Sequence, residues 1–147
     1  MTALAPRISL VTLGVDDLPR ARAFYAAVGL HEAGESTDGI AFFQFAGQVL
    51  ALYPRADLAR DMVLDALPTG SGSMTLAQNL DSEAAVDALF ATMVAAGATA
   101  IRTPFRTDYG GYVGYVADPD GHVWELAHVP FFRLADDGTL TLPSASQ

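Results

Sequence analysis

The chain predicts an α+β fold in which one βαβββ unit is written twice. Three observations predict it. Apolar, β-branched runs lead into capped helices at two places, the pattern restarts after a Pro/Gly/Ser-rich stretch, and an aromatic-rich hairpin closes the second copy. Leu80-Asp81 echoes Val15-Asp16 and Ala96-Gly97 echoes Val28-Gly29, so both copies carry the same strand-to-helix and helix-to-strand joints.

The first unit covers residues 7–54. Ile8 to Val15 is the opening strand, and Asp16-Asp17-Leu18-Pro19 starts a helix, with acids near its N-terminus and proline in the first turn. Leu18, Ala21, Phe24, Tyr25 and Val28 recur at helical spacing until Gly29 ends the helix, and Phe24 and Tyr25 read as core. A weak strand near Leu30 to Glu35 precedes stronger ones, Ile40 to Phe45 and Gln48 to Tyr53, joined at Ala46-Gly47. Residues 55–72 are a linker, with a short helix near Leu58 to Leu67 and a closing Pro68-Thr69-Gly70-Ser71-Gly72.

The second unit covers residues 73–129. Met74 to Leu80 is its first strand, and Asp81 or Ser82 caps a helix that places Val86, Leu89, Phe90, Met93 and Val94 on one face and ends at Gly97. Ala98 to Thr103 is the next strand, and the loop Pro104 to Gly111 follows. The final hairpin is the most informative segment. Asp118-Pro119-Asp120-Gly121 is a reverse turn between β-forming runs, and a four-residue turn sets Ala117 opposite His122, Gly114 opposite Glu125 and Tyr112 opposite Ala127. Alternation puts Val123, Glu125 and Ala127 on one face and His122, Trp124, Leu126 and His128 on the other, which leaves Glu125 as an acid over a glycine. The tail, 130–147, either crosses a dimer seam with Phe131-Phe132 or packs back on its own sheet, and Ser144 to Gln147 is expected to be disordered.

Composition narrows the function classes. With 147 residues and 51% hydrophobic content, the chain buries a core and is not disordered. Its net charge of −9 disfavours nucleic-acid phosphates and anionic lipid, and no apolar run approaches the roughly 18 residues of a membrane span. It has no cysteine, hence no disulfide frame and no thiolate nucleophile. No leader is visible in MTALAPRISLV, and cytoplasm is the default compartment. Each unit leaves one sheet face without a helix, so the expectation is that two units, from one chain or from a homodimer, pair around a cleft. Alternation lines that cleft with Ile8, Leu10 and Thr12, with Val49, Ala51 and Tyr53, with Ser73, Thr75 and Ala77, and with Tyr112, Gly114 and Val116. Arg106 and Tyr109 approach a ligand from the loop before the hairpin.

Two segments, LGVDDLPRARAFYAAVGL and YVADPDGHVWELAH, resemble the first strand and helix and the last hairpin of the vicinal oxygen chelate superfamily. That superfamily holds glyoxalase I, extradiol dioxygenases, methylmalonyl-CoA epimerase, and fosfomycin and bleomycin resistance proteins. The resemblance covers residues 7–129, and GGYVGYVADPDGHVWELAHVP with AFFQFAGQVLALYPR is nearest to a glyoxalase-like subgroup of unassigned reaction. It implies two βαβββ modules forming curved mixed sheets around a cleft. It also implies a metal held by His and Glu, and the matching positions here are Leu10, Ala51, Thr75 and Glu125. One carboxylate and one hydroxyl are too few for a divalent ion, and His122 and His128 lie at odd offsets from Glu125 while His31 sits on another segment. No metal or other cofactor is therefore expected.

Three roles remain open for Glu125. It recognises a donor group or cation on a small organic molecule, such as a cationic or aromatic one, in a metal-independent binding protein; or it is the general acid or base of a metal-independent isomerase or lyase; or it is satisfied by Thr75, Tyr53 or backbone groups and does nothing further. A metal-dependent glyoxalase-type lyase or dioxygenase ranks behind these.

Overall fold

The computed structural model describes residues 3–144; the expectation of disorder at the chain end falls, for 145–147, outside the described residues. The chain divides between Leu67 and Pro68 into two compact units. That boundary lies inside the stretch read as a linker.

In the first unit β1 (Leu10–Val15) leads into α1 (Leu18–Ala27), followed by β2 (Ala41–Phe45), β3 (Gln48–Pro54) and α2 (Arg55–Asp61). The Asp17 side chain caps α1 by accepting from Arg20 N–H at 2.9 Å, a cap of about 1 kcal/mol. At the other end Gly29, at φ +99°, donates to Ala26 and Leu30 donates to Tyr25, which satisfies the last carbonyls. The sheet order is β1-β3-β2, with β1 parallel to β3 and β2 antiparallel to it. Leu13, Val15, Phe43, Leu50 and Leu52 are buried on the helix side with Phe24 and Tyr25, whose rings lie 5.0 Å apart; Tyr25 lies 6.0 Å from Phe43. The opposite face carries Leu10, Thr12, Ala51 and Tyr53, as alternation predicts. The expected strand near Leu30 to Glu35 does not form. Glu32 bridges Phe43 alone, and the β2 edge is satisfied by Ala33 N–H donating to Phe42 O at 2.7 Å and by the Ser36 hydroxyl accepting from Phe42 N–H at 2.9 Å. Gly34 and two exposed glutamates break the alternation that a ladder there needs.

The second unit contains β4 (Leu76–Asn79), α3 (Glu83–Ala95), β5 (Thr99–Arg106), β6 (Tyr112–Ala117) and β7 (Val123–His128), with sheet order β4-β7-β6-β5. Ser82, not Asp81, caps α3 by accepting from Ala85 N–H at 3.1 Å. Val86 and Met93 are the buried stripe of this helix. β5 runs on through Pro104, Phe105 and Arg106, so the connection to β6 shortens to 107–111. Proline is tolerated there because β5 is an edge strand.

The hairpin register differs from the sequence expectation by one residue. Tyr115 pairs with Glu125, Gly114 with Leu126 and Tyr112 with His128. Asp118 N–H donates to His122 O at 2.9 Å, which leaves Pro119, Asp120 and Gly121 as a three-residue loop, with Gly121 at φ +87°. The buried Asp118 carboxylate enforces this by accepting from the N–H groups of Asp120 and His122, each at 2.9 Å. Gly70 and Gly121 then meet backbone to backbone: a Cβ on Gly70 would stand 3.1 Å from Gly121 O. Ser71 accepts a hydrogen bond from Val123 N–H, so the Pro/Gly/Ser stretch is docked on the hairpin rather than spanning freely.

Candidate functional site

The corrected register sets four side chains in one cross-strand row. Ala77 on β4 pairs with Glu125 on β7, Glu125 with Tyr115 on β6, and Tyr115 with Arg102 on β5. This row lies on the face away from α3. Gly114, of opposite parity, faces the helix, since a Cβ there would lie 3.1 Å from Phe90 Cδ2. Glu125 and Tyr115 are half-buried, while Ala77 and Arg102 are exposed. The Tyr115 hydroxyl is held above the ordinary tyrosine value, first by burial and then by its hydrogen bond to, and the charge of, Glu125; Arg102 acts in the opposite direction. One row further along, Val113 and Ala127 form an apolar cluster with Val129, against which Phe105, Tyr115 and Phe132 pack. The tail thus returns to its own sheet at Phe132.

The other residues predicted for the site divide between the units. Tyr112 and Gly114 do not share the Glu125 face, because the one-residue change of register reverses both. The Tyr112 hydroxyl instead donates to Asp87 on α3 at 2.8 Å, which raises the phenol's pKa. Val116 moves to the helix side with Gly114. Arg106 is a strand residue: its guanidinium makes a two-point pair with Glu83, at 3.2 and 2.8 Å, at the start of α3, and does not overhang the Glu125 face. Tyr109 is at the tip of the 107–111 loop, 58% exposed. Thr75 is exposed, two residues before Ala77.

In the first unit Leu10 is 43% exposed and Ala51 fully covered. The Tyr53 hydroxyl donates to Asp61 at 3.0 Å, and that bond, ahead of burial, raises its pKa. The partner of Glu125 is therefore Tyr115, which the sequence reading missed along with Arg102. Gly121 at the end of a three-residue loop was the available signal for Tyr115, because loop length fixes which β6 residue faces Glu125.

The residues at the four metal positions do not fit a divalent ion. Leu10 and Ala51 offer no donor atoms, and Thr75 offers one hydroxyl. Among the described residues no three His, Asp or Glu side chains cluster around a common point. His122 is buried with its backbone N–H on Asp118, and His128 Nδ1 lies 2.9 Å from Leu80 O. Among the described residues, no helix is long and apolar enough to cross a membrane.

The model of the Glyoxalase/Bleomycin resistance protein/Dioxygenase superfamily matches residues 7–126. The chain belongs to this superfamily. Solved structures agree. A glyoxalase-related enzyme from Fulvimarina pelagi is 35% identical over 95% of this chain and 100% of its own, with a TM-score of 0.88. A glyoxalase/bleomycin resistance protein/dioxygenase family enzyme from Burkholderia phytofirmans PsJN is 25% identical over 84% of this chain and 98% of its own, with a TM-score of 0.76. A lactoylglutathione lyase from Agrobacterium tumefaciens is also 25% identical, over 84% of this chain and 94% of its own, with a TM-score of 0.66. None of the curated proteins matches the chain. In this glyoxalase superfamily member, the two mixed sheets of three and four strands are the shared frame, and the Arg102, Tyr115, Glu125 row is what this chain sets on the second of them.

Proposed function

We propose that this glyoxalase superfamily protein binds a small organic molecule on the open face of its second sheet, at Glu125, without a divalent metal. The observation that carries the reading is the half-buried Glu125, set cross-strand from Tyr115 and beside an apolar cluster, with no second metal-ligating side chain in its row. Such a surface combines apolar side chains with few polar groups, which is the composition of small-ligand sites. Equilibrium dialysis and thermal shift against a panel of cationic, anionic and neutral aromatic compounds test it. At least one compound should raise the melting temperature of the native protein and lose that effect in Glu125→Gln; a flat response across the panel rejects the reading.

The phenol set cross-strand from the carboxylate favours a second reading, in which Glu125 is the general acid or base of an isomerase or lyase and Tyr115 stands beside it. The lyase among the structural relatives is consistent with it. It requires turnover that Glu125→Gln abolishes in a folded protein, and an unchanged rate counts against it. Pairing of two copies belongs to the same proposal. Ile101, Phe131 and Leu142 are more than half exposed, and apolar surface of this kind favours association. Light scattering on the eluting protein should give twice the chain mass; a monomer at micromolar concentration rejects a stable dimer.

A further inference from the structure

The open face of the second unit also holds a cation. Arg102 pairs with Tyr115, and the β5–β6 ladder slips on both sides of it, between Ala100 and Arg102 and between Arg102 and Phe105. Such irregularities re-aim a side chain. Here the guanidinium lies over the Phe105 ring, with Cζ 3.3 Å from the centroid, and Phe105 is itself fixed against the Val113, Ala127 and Val129 cluster. Stacking occupies a face of the guanidinium and leaves its edge N–H donors in solvent. Arg22, Arg55, Arg60 and Arg106 each pair with a carboxylate, whereas among the described residues no carboxylate pairs with Arg102. In a chain of net charge −9, an arginine stacked on a ring and kept from its own acids is pre-organised for an external anion.

Resting on the ligand site at Glu125, we propose that the ligand is a small dipolar organic acid. Its anionic group docks on the edge of Arg102, its apolar body lies across Tyr115, and a donor such as an ammonium, amide or hydroxyl meets Glu125. Two strand spacings of about 4.8 Å separate the Arg102 and Glu125 backbones, a span suited to a single ring between the two polar ends. Each polar end of the ligand then has a different residue to answer to.

Calorimetric titration of the full chain with benzoate, benzylammonium and 4-(aminomethyl)benzoate tests the proposal, using the native protein, Arg102→Gln and Glu125→Gln. Arg102 is exposed, so Arg102→Gln should keep the native melting temperature. The dipolar probe should bind tightest. Arg102→Gln should weaken it and benzoate by about tenfold, the worth of one charge-assisted hydrogen bond. Glu125→Gln should weaken the dipolar probe and benzylammonium. If benzoate and the dipolar probe bind Arg102→Gln as tightly as the native protein, the dipolar assignment is overturned, while a Glu125-dependent response to benzylammonium still upholds the site itself. If none of the three binds, the dipolar assignment is likewise overturned, and the wider panel decides the site.

Discussion

Substitution of Gly114 decides the register on which the site depends. If Gly114 stood opposite Glu125 on the open face, a larger side chain would only narrow a groove. In the structure it pairs with Leu126, and a Cβ added there meets Pro104 Cγ at 3.0 Å and Phe90 Cδ2 at 3.1 Å. Neither neighbour is the free end of a flexible chain. One is a proline ring in β5, and the other is a half-buried ring on α3. Alanine gains about 0.4–1 kcal/mol by restricting the unfolded chain. Overpacking by a carbon in fixed surroundings costs about 1–3 kcal/mol. The net expectation for Gly114→Ala is a loss of about 1 kcal/mol, and for Gly114→Leu, with three further carbons, about 3 kcal/mol or more. For a chain of this length those values lower the melting temperature by about 3 °C and about 10 °C. Ala77→Leu is the control: Ala77 is exposed in the Glu125 row, and its replacement should stay within about 0.5 kcal/mol. Urea unfolding with an unchanged denaturant slope measures all three. A Gly114→Leu protein as stable as the native one would return Gly114 to the open face and remove Tyr115 from beside Glu125.

Asp118→Ala should cost about 2 kcal/mol in urea unfolding, because its carboxylate accepts two loop N–H groups in a buried position; a loss under about 0.5 kcal/mol would show that the loop does not depend on it. Val63→Gly should stabilise the protein by about 0.5–1 kcal/mol. Val63 is 91% exposed at φ +57° after α2, so glycine relieves a left-handed penalty of about 1–2 kcal/mol and gives back part of it as unfolded-state entropy. A fall in melting temperature would contradict that strain. The hydroxyls of Tyr53, Tyr112 and Tyr115 are all raised, so the folded state holds these protons more tightly than the unfolded chain. Their contribution to stability is complete below about pH 10 and is lost as pH rises through the folded values. Glu125→Gln should shift only the Tyr115 part of the tyrosinate absorbance titration to lower pH, and superimposable curves would dissociate Tyr115 from Glu125.

The repeated unit was legible because its signals are local. Asp17 and Ser82 cap their helices, Gly29 and Gly97 end them at positive φ, and Leu13, Val15, Leu50 and Leu52 alternate as a half-buried sheet requires. The segment near Leu30 and the docking of the Pro/Gly/Ser stretch depend on contacts that composition does not carry. Ser36 and Ser71 in fact hydrogen-bond to strand N–H groups, and Gly70 makes a close backbone approach to Gly121, none of which periodicity reports. Arg102 was illegible for a different reason. Its direction depends on two slips in the β5 ladder, and ladder irregularities are set by the partner strand.

The register has a consequence for the charge on Glu125. Beside a glycine, the carboxylate would face the ligand with every lone pair unclaimed, and the bare acid in an apolar setting would favour protonation or a metal. Beside Tyr115 it has a phenol as its cross-strand neighbour, and a carboxylate offers roughly four acceptor positions. Half-exposure supplies water to those positions. The cross-strand phenol gives the half-exposed carboxylate a polar neighbour that a glycine would not supply. At the proposed site a ligand would displace water rather than Tyr115 to reach Glu125. Tyr115→Phe should accordingly keep ligand binding while lowering stability, whereas Glu125→Gln should lose binding and keep the fold; calorimetry and urea unfolding of the same two proteins distinguish them, and equal loss of binding in both would mean that the phenol itself contacts the ligand.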